Sequence, residues 1–449
     1  APPYTCISYS WDSGKVDNMF EDGGLMSYRT LPVIEATIKA SQKPENWGYA
    51  LKSTPPDAQK EAAALAAALK AAQAIWIDAL CVPSQEPARA ACLRSMGAIY
   101  GSAAQVFAVL SEPCANPLHQ ISDKVPMTSE ALFVLENDNW ITRAWTYQEM
   151  ANSKSTLFIA QGDGSVLLLA LDFLNAILTD TSAYADAQGF ERTQLAVRFP
   201  KLESLQVMMA EHRLVEYTGR SAYQVMSAMH QRVAERKEDR IYAMLGVITS
   251  LPSGGLHDAA LHPAEYFMRA CEEKGDYSFI YCTAPRSDIP GKGWRPVADQ
   301  FQPVVAGLLA PSYGLTGCLK ATHLQLDNMS RMSPGTLDSG AMNAIRAFVG
   351  SGIAGLSSGD IADVVLERLK QHGFSGCGEH LETENGYFFP QSTLTGSDEI
   401  FVVVSKDVQW TNGGPGLLVR SSDTDINHFC DVGAFVGKMP KVGESINVG

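Results

Sequence analysis

Apolar residues in the first third of this chain come in two arrangements: short unbroken runs, and longer stretches in which they recur every three or four positions. Residues 4–8 (YTCIS) form a short β-prone run and predict a first strand. Residues 12–24 are polar and rich in glycine and predict a surface loop. Pro55-Pro56-Asp57 opens the alanine-rich run AQKEAAALAAALKAAQA. Prolines at a first turn followed by strong helix formers predict a helix. The unbroken run from Ile75 to Val82 predicts a strand covered on both faces. Residues 86–103 place Leu93, Met96, Ile99, Tyr100 and Ala103 at helical spacing. A strand over 105–110, helices over 128–136 and 142–151, and a strand over 156–160 complete the series. Strands alternating with helices predict an α/β domain, a mostly parallel sheet flanked by helices.

The rhythm changes after about residue 165. Residues 190–247 read as mainly helical, whereas 250–340 are rich in Gly, Pro and Ser and carry no clear period. Strand-like pieces at 400–404 and 416–419 flank Asn412-Gly413-Gly414-Pro415, a hairpin-turn sequence. The expected organisation is an α/β domain over 1–163, a mainly helical region over 164–255 and a mixed α+β C-terminal region over 256–449.

Composition narrows the function classes. The chain has 449 residues and a net charge of −14, without a basic cluster. It therefore lacks the positive field that nucleic acid or an anionic membrane surface requires. No apolar stretch reaches the roughly 18 residues of a membrane span. The opening Ala1-Pro2-Pro3-Tyr4 has neither basic nor apolar signal character, so no secretory signal is expected in the chain. Nine cysteines without a C-x-x-C pair predict reduced thiols and a cytoplasmic location.

Three segments carry candidate chemistry: Tyr4-Thr5-Cys6-Ile7-Ser8-Tyr9-Ser10-Trp11, Trp76-Ile77-Asp78-Ala79-Leu80-Cys81-Val82, and Arg143-Ala144-Trp145-Thr146-Tyr147-Gln148-Glu149. In this order they resemble the three blocks of the HET (heterokaryon-incompatibility) domain. A fourth stretch, Glu238-Asp239-Arg240-Ile241-Tyr242-Ala243-Met244-Leu245-Gly246, resembles one that often follows that domain. Two departures fall on loops: Asp12 stands at a usual glycine, and Pro83-Ser84 separate Val82 from Gln85. HET domains are similar to TIR domains, many of which hydrolyse NAD. The resemblance therefore implies a TIR-like (flavodoxin-like) fold and NAD+ glycohydrolase activity, with NAD as substrate and no resident cofactor. It also implies self-association into a homo-oligomer and a fungal self/non-self or cell-death role. The other function classes are a non-catalytic assembly scaffold and a C-terminal hydrolase or nucleotide-binding enzyme.

Trp145 and Glu149 stand at i and i+4, one turn apart on one helix face. The resemblance gives Glu149 the catalytic role and Trp145 a substrate-binding one. A carboxylate against the ribose would stabilise the oxocarbenium-like sugar formed as nicotinamide leaves, and an indole would stack on a flat ring. Each has a plainer reading, Trp145 as a core aromatic and Glu149 as a solvated helix residue. Ser8, Tyr9, Ser10 and Trp11 follow the first strand, at the sheet edge where open α/β folds bind ligands; the serines read equally as turn formers. Asp78 reads as a ribose ligand or a turn cap. Arg143 reads as a phosphate ligand or, preferably, the ion-pair partner of Asp78. The expected site is one cavity lined by Glu149, Trp145 and residues from 8–11.

The second half holds motif-like strings of low specificity. Gly350-Ser351-Gly352-Ile353-Ala354-Gly355 spells G-x-G-x-x-G, but Leu356-Ser357-Ser358-Gly359 intervenes before Asp360, the expected helix cap. Ser357 also sits in a G-x-S-x-G string with Asp425 and His428 downstream, and no buried strand leads into it. His372, Cys377 and His380 match no zinc spacing.

Overall fold

The computed structural model describes residues 3–11, 14–18, 25–42, 74–189, 198–206, 219–230, 232–249, 262–302, 304–306, 308, 314–350, 353, 355–394, 399–441 and 443–449. The alanine-rich helix expected from residue 55 lies outside these up to residue 73. The chain is mixed α/β and divides into two compact units, Ala1–Leu214 with Arg232–Ala259, and Val215–Gln231 with Ala260–Gly449.

The first unit is built on a five-stranded sheet of β1 (Tyr4–Tyr9), β4 (Ala74–Ile77), β5 (Gln105–Leu110), β6 (Thr156–Ala160) and β7 (Asp163–Leu169). A hairpin of β2 (Lys15–Asp17) and β3 (Leu25–Ser27) stands apart from it. The sheet order is β4-β1-β5-β6-β7, parallel except for the antiparallel β6–β7 pair. Counting only these strands, the order is 2-1-3-4-5. The chain reverses its direction of winding between β1 and β5, the switch point at whose carboxyl edge such sheets bind ligands.

The two-residue period of β1 decides which face each residue serves. Ile7 and Tyr9 join Phe107, Val109, Leu157 and Ile159 beneath α1 (Thr30–Gln42), which presents Val33, Ala36 and Ala40. Helix α1 carries small apolar residues at helical spacing and places Pro32 in its first turn, where a missing N–H costs nothing. Cys6, between them, joins Leu93, Met96, Tyr100 and Val106 on the opposite face. That face is covered by α3 (Ala88–Ser102) and α7 (Ala144–Ala151). Between β4 and α7 lie also α2 (Asp78–Cys81), α4 (Ala115–Ser122), α5 (Ser129–Glu136) and α6 (Asn139–Thr142). After α8 (Ala170–Gln188) the chain passes through α9 (Ala222–His230) of the second unit, and returns as α10 (Lys237–Ile248).

Several expectations hold within a residue or two: β1, β5, β6, α3, α5 and α7. The run 75–82 does not stay extended. Strand β4 ends at Ile77 because the Asp78 carboxylate accepts the Ala79 N–H at 2.7 Å and opens α2. Nor is β4 covered on both faces. It pairs only with β1 among the described residues, and Ile75 is 45% exposed. The polar stretch 12–24 contains β2, and α1 and β7 lie where no element was expected.

Helix α10 and the segment leading into it are held to the sheet domain by several contacts. Backbone around Val233 pairs with α6 and α7, Val233 N donating to Thr142 O at 2.7 Å and Ala144 N to Val233 O at 2.9 Å. Asn152 Nδ2 donates to Gly246 O at 2.7 Å. Gly97 of α3 and Gly246 of α10 meet backbone to backbone, and a methyl group on Gly97 would overlap Gly246.

The second unit carries an antiparallel sheet in the order β10-β11-β14-β13-β12-β9-β15, with β8 on β9. Its strands are β8 (Gly317–Leu319), β9 (Leu324–Met332), β10 (Leu381–Thr383), β11 (Gly386–Pro390), β12 (Ile400–Ser405), β13 (Gly413–Arg420), β14 (His428–Gly437) and β15 (Glu444–Val448). Strands β12 and β13 pair antiparallel, but of the expected turn Asn412-Gly413-Gly414-Pro415 only Asn412, at a positive φ of 64°, precedes β13, and the other three residues belong to the strand. Ser357 caps the helix Ser358–Gln371 in a reciprocal capping box with Asp360. It is a helix start, not a nucleophile on a strand-to-helix elbow.

Candidate functional site

Strand β1 ends at Tyr9 and β4 at Ile77 on the same edge of the sheet, so Trp11 and Asp78 emerge side by side. Trp11 Nε1 donates to Asp78 Oδ2 at 3.0 Å. Beside them opens a cleft of about 560 Å³, lined among others by Trp11, Asp78, Arg143, Trp145, Arg89 and Arg236. That volume is in the range of small-molecule sites. Trp145 is half-buried: its ring stacks on Tyr242 of α10 at 6.5 Å and 11°, and its indole N–H donates to Asp239. The hairpin closes one side, where Lys15 Nζ pairs with Glu235 at 3.1 Å and Asn18 Nδ2 donates to Ala79 O at 3.2 Å.

Glu149 does not reach the wall of this cleft. It is 2% exposed and sealed between α7 and β1, where Ser8 Oγ donates to its Oε2 at 2.5 Å. Trp140 Nε1 donates in turn to Ser8 Oγ at 2.7 Å, so the hydroxyl both donates and accepts. The expected cavity is therefore met for Trp145 and Trp11 and not for Glu149. Burial is the main reason that the Glu149 pKa rises to about 8, and the neighbouring Asp78 charge adds to it. The Ser8 bond, Arg143 and Tyr100 oppose the rise without cancelling it. At neutral pH this carboxyl is mostly protonated.

The remaining expected residues divide by strand parity. Tyr9 faces α1, sharing a 2.7 Å hydrogen bond with Thr30 Oγ1. Ser10 is buried under Arg29, whose Nη1 donates to Ser10 Oγ at 2.7 Å and Ser10 O at 3.0 Å. Asp78 lines the cleft, and its Oδ1 accepts the Ala79 N–H at the start of α2. Burial raises its pKa, and Arg143, Trp11 and backbone N–H groups act against that. Arg143 stabilises the Asp78 charge at a distance without a direct ion pair. Its own hydrogen bond is a long one, Nη1 to Tyr9 O at 3.4 Å.

Sequence reasoning passed over Trp140, Arg29, Arg89, Arg236 and Arg232. Arg232 is buried, donates to Arg143 O at 2.8 Å and stacks over Tyr147 at 5.3 Å. Burial lowers its pKa to about 10, against the pull of Tyr147 and Glu149. Asp239 lay inside the fourth quoted segment, the one signal that pointed towards α10. Among the described residues no group of His, Cys, Asp and Glu is arranged to hold a metal ion, and no helix is long and apolar enough to cross a membrane.

No curated protein and no solved structure was found to match the chain. The family model described as Heterokaryon incompatibility protein (HET) matches residues 4–149, a span that begins with β1, holds all three quoted segments and ends on Glu149. A HET domain is therefore present in this chain, and the cleft opens at its carboxyl edge.

Proposed function

We propose that the HET domain is a TIR-like NAD+ glycohydrolase that cleaves NAD to nicotinamide and ADP-ribose, linear or cyclised. The observation that carries this reading is the meeting of Trp11, Asp78, Arg143 and Trp145 on one cleft at the carboxyl ends of β1 and β4, with Glu149 buried one helical turn from Trp145. The 2-1-3-4-5 sheet order supports the TIR-like part. In the reaction the C–N bond to nicotinamide breaks, the electron pair leaves with the neutral pyridine, and water adds to the ribosyl cation and loses a proton, or an adenine ring nitrogen adds in its place to give the cyclised product. In this reading the indoles position flat rings, Asp78 takes ribose hydroxyls and a charged Glu149 faces the developing cation. Glu149 can do so only after its bond with Ser8 opens and its proton is lost, so the arrangement described is a resting one. Self-association through the HET domain, in a cytoplasmic self/non-self or cell-death response, would supply the opening step.

The sealed Glu149 also favours a second reading, a HET module that assembles without catalysis. Incubation of the protein with NAD, followed by chromatography, separates the two. Nicotinamide and an ADP-ribose product accumulating in equal amounts support the enzyme. NAD recovered intact, with assembly demonstrated, supports the scaffold.

A further inference from the structure

The cleft has a charged side built from three arginines, of which Arg236 lies beyond both the quoted segments and the family match. Arg89 lies in the first turn of α3, Arg143 is the N-cap residue of α7 and Arg236 the N-cap residue of α10. All three line the cleft. All three also act electrostatically on Asp239, which lies among them without a direct ion pair to any. The carboxylates of the cleft already have donors: Asp78 from Trp11 and Ala79, Glu86 from Ala90 N–H at 3.1 Å, Glu235 from Lys15, and Asp239 from Trp145. The guanidinium groups are not matched in the same way. Arg89 and Arg236 make no side-chain hydrogen bond or ion pair among the described residues, and Arg143 makes the single long bond to Tyr9 O. What the cleft lacks is an acceptor-rich anion, and planar guanidinium forks match phosphate oxygens.

We propose that Arg89, Arg143 and Arg236 form a phosphate subsite that takes the diphosphate of a dinucleotide or of a nucleoside diphosphate. Residues 235–239 thereby belong to the binding site although they lie beyond residues 4–149. This inference rests on the nucleotide reading of the cleft and names the part of the ligand that the second half of the unit recognises. Stacking on Trp145, whose ring α10 also holds, places a base or pyridine next to the phosphates.

Calorimetric titration of the full chain with adenosine, AMP and ADP tests this without any turnover. Affinity is expected to rise in that order, by about tenfold or more between adenosine and ADP, as charge-assisted hydrogen bonds are added. The double substitution R89Q/R236Q is expected to abolish the gain while adenosine binding stays as in the parent. R236Q alone, at an exposed position, is expected to lose part of it. Equal affinity for adenosine and ADP, no binding of ADP, or a double variant that keeps the gain would overturn the subsite. A protein that prefers ADP but releases no nicotinamide keeps the subsite and loses the glycohydrolase. One that releases nicotinamide without preferring ADP does the reverse.

Discussion

At the residue scale the decisive group is Glu149, whose burial sets a pH dependence that can be measured on folding alone. In the unfolded chain a glutamate loses its proton near pH 4.5, whereas in the folded protein it keeps it to about pH 8. Between those values the folded state holds the extra proton, so this residue lowers stability as pH rises from 4.5 to 8 and adds no further change above. Glu149→Gln retains an acceptor for Ser8 and cannot ionise. Urea unfolding at pH 5 and pH 8 should show the variant gaining on the parent as pH rises. Parallel pH curves would mean that Glu149 is already ionised in the folded protein at neutral pH. The sequence marked Glu149 and Trp145 as one-turn neighbours, and they are. What it did not reveal is that the face turns inward at Glu149 and outward at Trp145. That depends on Ser8, which β1 brings to α7 from far along the chain, and on Trp140 of the short helix α6 just before α7.

At the element scale the site depends on how α10 lies across α3 and α7. Gly246 packs on Gln148 and Gly97 with no room for a methyl group. Gly246→Ala should cost about 1–3 kcal/mol, the usual range for overpacking, and should reduce nucleotide binding by displacing Asp239 and Tyr242. A stability equal to the parent in thermal melts would show that the helices separate freely. Trp145 stacks on Tyr242 but remains partly exposed. Trp145→Ala is therefore expected to cost less than the roughly 3 kcal/mol at which fully buried aromatics begin, and to raise KM more than it lowers kcat. A loss of folding would return Trp145 to the core. The parallel strands were legible because each is a short apolar run with a helix before or after it. Residues 78–82 were misread as strand since their composition is equally apolar, and only the self-capping Asp78 distinguishes them. Helix α10 was legible as a motif but not as part of the cleft, because nothing local records that Arg89 and Asp239 line one cleft.

At the scale of the whole molecule, the unit that holds the HET domain is discontinuous, joining residues before 214 to a returning segment from Arg232. A polypeptide ending at residue 163 lacks β7, which completes the sheet, and α10, which covers Trp145 and Gln148. It is expected to melt without a cooperative transition, whereas the full chain shows one by circular dichroism. A sharp transition in the fragment would make α10 an accessory. The central claim is that the HET domain cleaves NAD with Glu149 as its charged group. Its most direct test is the rate of nicotinamide release by the parent and by Glu149→Gln, each assembled identically and each confirmed folded. Groups aimed at developing charge are often worth about 10²–10³ in rate, so the variant should be slower by at least that factor. A variant as fast as the parent, or a parent that leaves NAD intact in every assembly state, would contradict the claim.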